Sequence, residues 1–250
     1  MTILDYLTNP AGKGSNVLGD QSTTKQKYAD EAQNFISLGK GIPVLYQYKK
    51  RYLIFHYQLE SKSGSKYGEG LHYDVLLELD TKGFDDTKVI DMEFKVYSNC
   101  PSFLYTYANL FYRKNLIINW TRRLYEKDTI KKTAEVRNSY GIIGYERSLY
   151  ITSLLIHYAY GNMTCKDVMV LATPISTTNT ILQKIQSQAQ MKNSFATARD
   201  QYKKAQSMQG TTRKEKKKGE EFSDLSPESH TVKKTVTVKK TKTTKRSKKI

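Results

Sequence analysis

The sequence has few of the residues that cross-link a fold or build a metal site. Only two of its 250 residues are cysteines, Cys100 and Cys165, and neither stands in a CxxC or Cys/His spacing. A disulfide framework and a structural zinc site are therefore not expected. No apolar run approaches the roughly 20 residues that a membrane span needs. The first residues lack a basic segment followed by an apolar one, so we expect no secretory signal.

Familiar catalytic and phosphate-binding motifs are also missing. The sequence has no GxSxG motif, and the Gly-Lys-Gly triplets at 12–14 and 39–41 lack the GxxxxGK[ST] spacing of a phosphate loop. Metal-ligand spacing is absent among the four histidines, which are His56, His72, His157 and His230. Short motifs therefore indicate no definite enzyme class.

Aromatic residues, by contrast, are abundant. The chain contains 19 tyrosines against one tryptophan, and 38% of its residues are apolar. This composition predicts a folded core and excludes a wholly disordered protein. The length suits one domain of roughly 200 residues or two small ones.

Positive charge is concentrated at the C-terminus. Residues 211–250 hold 14 Lys or Arg against 5 Asp or Glu, a net charge of +9 out of the chain's +17. The segment is low in complexity, with Thr-Val-Lys-Lys at 231–234 and again at 237–240. It has too few large apolar side chains to offset the entropy of ordering, so we predict a disordered Lys-rich tail.

Residues 42–97 show the alternation of apolar and polar side chains that indicates β-strands. Runs at 44–48 and 52–60 flank a basic Lys-Lys-Arg turn, and further alternating runs follow at 73–80 and 90–97. The period of two predicts an antiparallel meander of about four strands, with one buried and one polar face.

Helical patterns flank this sheet. We predict helices at 25–38, from Pro101 onward and over 149–160, and a short strand at 168–172. The fold class is therefore α+β, with helices covering the apolar face of the sheet. The expected organisation is a flexible N-terminal arm at 1–24, an α+β core at 25–175, a polar helix at 176–210 and the tail at 211–250.

The tail is the clearest candidate for a binding function. Lysines on a flexible chain bind polyanions by counterion release, without reading sequence. Its last twenty residues contain no aromatic side chain, so we expect phosphate contacts rather than base stacking. A solubility tail, or one that docks on an acidic protein surface, is the alternative. The predicted nucleic-acid-binding residues are Lys233, Lys234, Lys239, Lys240, Lys242, Lys245, Arg246, Lys248 and Lys249.

The predicted hairpin at 44–60 is a second basic candidate. Its turn is Lys49-Lys50-Arg51, and its strands carry four tyrosines, which are Tyr46, Tyr48, Tyr52 and Tyr57. Basic residues interleaved with aromatic ones can stack on bases. A charged turn above a tyrosine-rich strand pair explains the same pattern without a ligand, and we favour that structural interpretation.

Acidic residues of the third and fourth predicted strands give a catalytic alternative. Glu93-Phe94-Lys95 resembles the (D/E)xK half-motif of the PD-(D/E)xK nucleases. The resemblance implies Asp74 or Asp80 as a first Mg²⁺ ligand, Glu93 as a second, and Lys95 as the group that positions the attacking water. The family's Pro-Asp dipeptide is missing, and a solvated strand face with Lys–Glu pairs shows the same triplet. We favour the strand-face interpretation.

Two other segments carry a broader resemblance. The sequences VYSNCPSFLYTYA at 96–108 and NSYGIIGYERSLY at 138–150 resemble proteins encoded by tailed phages of low-GC hosts. The composition, heavy in Lys, Ile, Asn and Tyr, agrees with an AT-rich genome. The resemblance covers about a tenth of the chain, contains no catalytic motif and implies a virion protein without saying which.

The leading hypothesis is a non-enzymatic phage virion structural or assembly protein. It would pack against other virion subunits as an oligomer and contact nucleic acid or another polyanion through its tail, without a membrane span or cofactor. Its location would be the virion, and the host cytoplasm during assembly. A Mg²⁺-dependent nuclease and a nucleic-acid-binding module that uses the basic hairpin remain as alternatives.

Overall fold

The computed structural model describes residues 1–10, 22–61, 72–125, 130, 143–185 and 200. The chain divides into two units, Met1–Lys204 and Ala205–Ile250, and every described residue belongs to the first. The predicted tail at 211–250 and most of the predicted polar helix at 176–210 lie outside the described residues. Their predicted disorder and helicity stay predictions.

A five-stranded sheet organises this unit. The strands are β1 (Val44–Tyr48), β2 (Tyr52–Glu60), β3 (His72–Asp80), β4 (Phe94–Ser98) and β5 (Thr173–Ile175), in the spatial order β4-β3-β2-β1-β5. Strands β1 to β4 form an antiparallel meander, and β5 pairs in parallel with β1. The predicted α+β class and its meander are confirmed, while β5 makes the sheet mixed.

Helical elements connect and cover these strands. Within the described ranges they are α1 (Ile3–Thr8), α2 (Ser22–Ser37), α3 (Pro101–Thr106), α4 (Ala108–Arg113), α5 (Arg147–Tyr160), α6 (Cys165–Leu171) and α7 (Asn179–Leu182). Two 3-10 segments lie at Val89–Asp91 and Asn119–Leu124. Helix α2 is followed by Gly39, whose φ of 69° suits the left-handed residue that commonly ends a helix.

The odd-numbered residues of β2 form a helix-covered face. Leu53, Phe55 and Leu59 have no exposed surface there, and the β3 residues opposite them are buried as well. Helix α5 packs against β2, β3, α1 and α2. Its residues from Ser148 to Ile156 are all buried, as expected of a helix that is enclosed on every side.

The even-numbered residues of β2, with their register partners, form the polar face. Polar and aromatic side chains dominate it, and several are buried. The second 3-10 segment and the residues after α7 contact this face through Trp120 and Lys184. The principal members of the face are Tyr46, Tyr48, Tyr52, Ile54, His56, Gln58, Asp74, Leu76, Glu78, Asp80, Lys95 and Tyr97.

One predicted strand is shorter than the alternation indicated, and another prediction of a strand is wrong. The run at 90–97 begins with a 3-10 turn, closed by a hydrogen bond from Met92 N–H to the Val89 carbonyl, and only its second half is β4. The run at 168–172 lies mainly in α6, which begins where the Thr164 hydroxyl accepts from Asp167 N–H. A local hydrogen-bonded turn and a helix cap override the apolar pattern in these segments.

The first residues of the predicted flexible arm at 1–24 instead form part of the core. A capping box between Thr2 and Asp5 begins α1, and Ile3, Tyr6 and Leu7 are buried. The hydroxyl of Tyr6 reaches across to the Gly144 carbonyl. Arm residues 11–21 lie outside the described residues.

Candidate nucleic-acid interface

The turn of the β1–β2 hairpin holds two lysines in an uncommon backbone conformation. Lys49 and Lys50 have φ values of 54° and 50°. The Arg51 N–H donates a hydrogen bond to the Tyr48 carbonyl over 3.2 Å. Two successive positive φ angles are typical of a type I′ turn, where Asn-Gly is preferred because other residues are strained. Backbone strain of this kind is concentrated at functional sites, so the side chains of these two lysines are candidates for binding.

Tyr48 and Tyr52 close this hairpin and lie next to its cations. The two tyrosines are register partners, with ring centroids 6.2 Å apart and ring planes inclined by 26°. The Lys49 ammonium lies 5.1 Å from the centroid of the Tyr48 ring, and the Arg51 guanidinium lies 5.0 Å from that of Tyr52. Each ring attracts its cation through the ring quadrupole. The turn therefore displays positive charge beside aromatic rings, and we call residues 48–52 the hairpin tip.

Arg51 also forms an ion pair with Asp80 at the end of β3. Its Nε donates to Asp80 Oδ1 over 2.6 Å, and its Nη2 donates to Oδ2. These hydrogen bonds raise the pKa of Arg51 and lower the pKa of Asp80. The Asp80 charge is thus compensated by Arg51, and the tip owes its net positive charge to Lys49 and Lys50.

A groove of about 530 Å³ opens on the polar face along β1 and β2, away from the hairpin tip. Its lining residues are Ile42, Val44, Tyr46, His56, Tyr57, Gln58 and Lys184. The Lys184 ammonium donates to the Tyr46 hydroxyl over 2.8 Å and lies 5.3 Å from the ring centroid. The lining combines apolar and polar side chains, and the volume lies in the range of small-ligand sites.

Asp74 supports the groove from within the sheet. Its side chain is fully buried, and its Oδ1 accepts from His56 Nε2 at 2.9 Å and from Gln58 Nε2 at 3.1 Å. Its Oδ2 accepts from Asn99 Nδ2 at 3.2 Å. Because a carboxylate oxygen only accepts, the proton of neutral His56 resides on Nε2. Asp74 therefore orients the side chains that line the groove.

Glu78 lies on the same face and contacts Trp120. The Trp120 Nε1 donates to Glu78 Oε2 over 2.8 Å, and Lys95 is the register partner of Glu78 on β4. Burial raises the pKa of Glu78, while the Trp120 hydrogen bond and the Lys95 charge oppose that shift. Sequence analysis missed this contact, because the two residues are 42 positions apart and no local pattern connects them.

Glu93 contacts the N-terminus instead of a strand neighbour. Its carboxylate accepts from the Met1 ammonium at 3.1 Å, and its side chain is 83% exposed. Glu93 lies just before β4, in an isolated bridge with Thr2. Its position follows from the packing of α1 beside the start of β4.

The structure separates Asp74 from Glu93, whereas Asp80 and Glu93 lie at neighbouring ends of β3 and β4. Asp74 and Asp80 are six residues apart on β3, which is about 20 Å along a strand. The register places Glu93 toward the Asp80 end, where Asp80 already pairs with Arg51. Mg²⁺ ligands lie about 2.0–2.1 Å from the ion, so Asp74 and Glu93 do not share one here. Among the described residues, no three His, Cys, Asp or Glu side chains are grouped to hold a metal.

Both cysteines are buried free thiols. Burial raises the pKa of Cys100 to about 12 and the pKa of Cys165 to about 11. Since the thiolate is the reactive form, both side chains are poor nucleophiles at neutral pH. Cys100 thus packs as a small buried residue.

Comparisons with protein-family models, with curated proteins and with solved structures find no match to this chain. Within the described ranges, no helix is long and apolar enough to cross a membrane. The predicted tail residues from Lys233 to Lys249 lie outside those ranges, so their binding role stays a prediction. The hairpin tip and the groove on the same pair of strands are the candidate interface that the folded unit offers.

Proposed function

We propose that this chain is a non-enzymatic nucleic-acid-binding protein that serves as a structural or assembly component of a phage virion. In this proposal the Lys-rich tail gives most of the affinity, and the hairpin tip gives a fixed contact on the folded body. Both bind phosphates and neither reads sequence.

The observation that carries the proposal is the display of cations at the hairpin tip. Two lysines occupy a strained turn, and Lys49 and Arg51 lie over tyrosine rings. The tail adds a net charge of +9 on the same chain. Two cationic regions on one chain bind a long polyanion more tightly than either does alone, because the second contact is intramolecular.

Exposed apolar side chains support the assembly part of the proposal. Leu38 and Tyr158 are more than half exposed, and an apolar groove of about 340 Å³ lies between the ends of α2 and α5. Clustered exposed apolar surface is typical of protein–protein contacts. We propose that other virion subunits pack there.

The positions of the acidic residues favour binding over the nuclease alternative. Asp74 orients His56 and Gln58, Asp80 pairs with Arg51, and Glu93 pairs with the Met1 ammonium. Each carboxylate that the nuclease hypothesis needs thus has a structural partner elsewhere.

A salt titration of DNA binding tests the proposed function. The full chain is incubated with DNA and Mg²⁺, affinity is measured over a range of salt concentrations, and DNA lengths are checked on a gel. We expect affinity to fall steeply and linearly with the logarithm of salt, and the DNA to stay intact. Salt-independent or absent binding contradicts the proposal. DNA cut by the wild type but not by Glu93→Ala restores the nuclease alternative.

A further inference from the structure

We infer that the groove on the polar face accepts one unpaired nucleobase, so that the folded body prefers single-stranded to double-stranded nucleic acid. This inference rests on the proposed function and specifies its ligand class. The groove and the hairpin tip share strands β1 and β2 and the same face of the sheet.

The lining of the groove fits a planar heteroaromatic ring with an anionic neighbour. Val44 and Ile42 are 52% and 70% exposed and give the groove an apolar wall. Gln58 and Lys184 contribute an amide and an ammonium group. Among the lining residues, all within the described part of the chain, none is acidic. Apolar contact for a ring, with few polar groups at its edge, is the usual composition of a base-sized site.

The groove is held in a fixed shape before any ligand binds. Buried Asp74 fixes both His56 and Gln58 by hydrogen bonds, and the Lys184–Tyr46 hydrogen bond fixes the opposite side. Side chains already fixed lose less entropy when a ligand binds. The groove therefore favours one ligand geometry over a general polyanion contact.

The distance along β1 allows one ligand to contact both the groove and the hairpin tip. Val44 and Tyr48 are four residues apart on β1, which is about 13 Å along a strand. A few nucleotides of an extended single strand span that length. A short single strand can thus place a base in the groove and phosphates at Lys49 and Lys50.

A base of a duplex enters the groove at a higher cost in free energy than a base of a single strand. A paired base must first leave the stack, which costs a few kcal/mol, whereas a base of a single strand is already available. The cations of the tip and the tail contact either form. Tighter binding of single strands than of duplex is therefore the result that distinguishes binding in the groove from binding by the charged regions.

The test compares a fluorescent oligo-dT with a duplex of the same length, using the full chain at raised salt to weaken the tail contribution. Val44→Trp fills the groove, and Val170→Trp is the matched control, because Val170 is 82% exposed on α6 and does not line the groove. We expect tighter binding of oligo-dT than of duplex by the wild type. Val44→Trp should weaken oligo-dT binding about tenfold and leave duplex binding unchanged.

Each result has one interpretation. Equal wild-type affinities for the two probes, or oligo-dT binding unchanged in Val44→Trp, overturns the base-binding inference and leaves the proposed function standing. If the wild type binds neither oligo-dT nor the duplex, the proposed function itself is contradicted. Thermal unfolding checks that Val44→Trp folds; if it does not, Ile42→Trp at the exposed rim replaces it with the same expected result.

Discussion

The chain carries positive charge in two different ways, in the tail at 211–250 and at the hairpin tip. The tail holds many lysines among Thr, Val and Ser, without an aromatic residue in its last twenty positions. The hairpin tip holds three basic residues, of which Lys49 lies beside a tyrosine and Arg51 beside a tyrosine and a carboxylate. Charge number favours affinity, and fixed charge position favours selectivity. We therefore expect the tail to contribute affinity and the hairpin tip to contribute selectivity.

The largest expected effect comes from removing the tail. Deleting 211–250 leaves every described residue in place and removes a net charge of +9. We expect duplex DNA affinity near physiological salt to fall by about two orders of magnitude or more, with a clear drop in the salt slope. Fluorescence anisotropy over a salt series measures both quantities.

A deletion of 219–228 is the matched control for the tail. It removes four acidic residues, Glu220, Glu221, Asp224 and Glu228, and no basic one. Affinity should stay the same or rise slightly. A loss as large as that of the full tail deletion would show that chain length, and not charge, governs binding.

A change at the hairpin tip should have opposite effects on stability and on binding. Lys49→Asn with Lys50→Gly introduces the pair that a type I′ turn prefers and removes two charges. We expect the free energy of unfolding to rise by about 1 kcal/mol, because strain is relieved. The salt slope for duplex DNA should fall by about 2, since each phosphate contact contributes about 0.9. Chemical denaturation and a salt titration measure the two effects.

The control for the hairpin tip is Lys166→Ala, which removes an exposed lysine from α6. Its salt slope should match that of the wild type. If the double variant at the tip is more stable but has the same salt slope for duplex DNA as the wild type, the tip is not part of the interface.

A smaller effect concerns the pH dependence of the stability of the region that contains Glu78. Burial raises the pKa of Glu78 in the folded chain above its unfolded value, so the folded state binds more protons than the unfolded state between those two values. Stability should therefore decrease as pH rises from about 4.5 through the folded pKa. In Glu78→Gln this decrease should be reduced. A difference of about 1 kcal/mol would shift Tm by roughly 2–4 °C in a chain of this size.

Thermal unfolding of Glu78→Gln from pH 4 to pH 8 checks this sign. The Gln carbonyl can still accept from Trp120 Nε1, so the variant separates charge from the hydrogen bond. A variant that loses stability equally at every pH would show that packing at Trp120, and not the buried charge, dominates.

The smallest expected effect is that of Asp80→Asn at the hairpin tip. The Arg51–Asp80 pair is nearly half exposed on both sides, so its loss should barely change Tm. The net charge of the tip rises by one, and the salt slope for DNA should grow by up to about 1. Weaker DNA binding in this variant would indicate that Asp80 positions Arg51 for contact.

Local patterns in the sequence predict the meander well. The bounds of β1 and β2 match the alternating runs at 44–48 and 52–60, because the apolar period and the turn between them agree. The run at 90–97 contains a shorter strand than its pattern predicts, and the run at 168–172 lies mainly in α6, where the prediction of a strand is wrong. There, hydrogen bonds to Val89 and Thr164 compete with the alternation, and an apolar period does not reveal them.

The candidate interface could be predicted only in part. The basic, tyrosine-rich hairpin is visible in the sequence, where a purely structural interpretation was favoured. The groove is not visible, because Lys184 meets Tyr46 across 138 positions and Asn99 meets Asp74 across 25. Long-range contacts of this kind depend on the register of the whole sheet.

The most direct test of the account is a set of four salt titrations on duplex DNA. The proteins are the full chain and the chain without 211–250, each with and without Lys49→Asn and Lys50→Gly. The account predicts a large fall in slope from losing the tail and a further fall of about 2 from the hairpin change in both backgrounds. A hairpin change that leaves the slope unaltered in both backgrounds would contradict the claim that the folded body contacts nucleic acid.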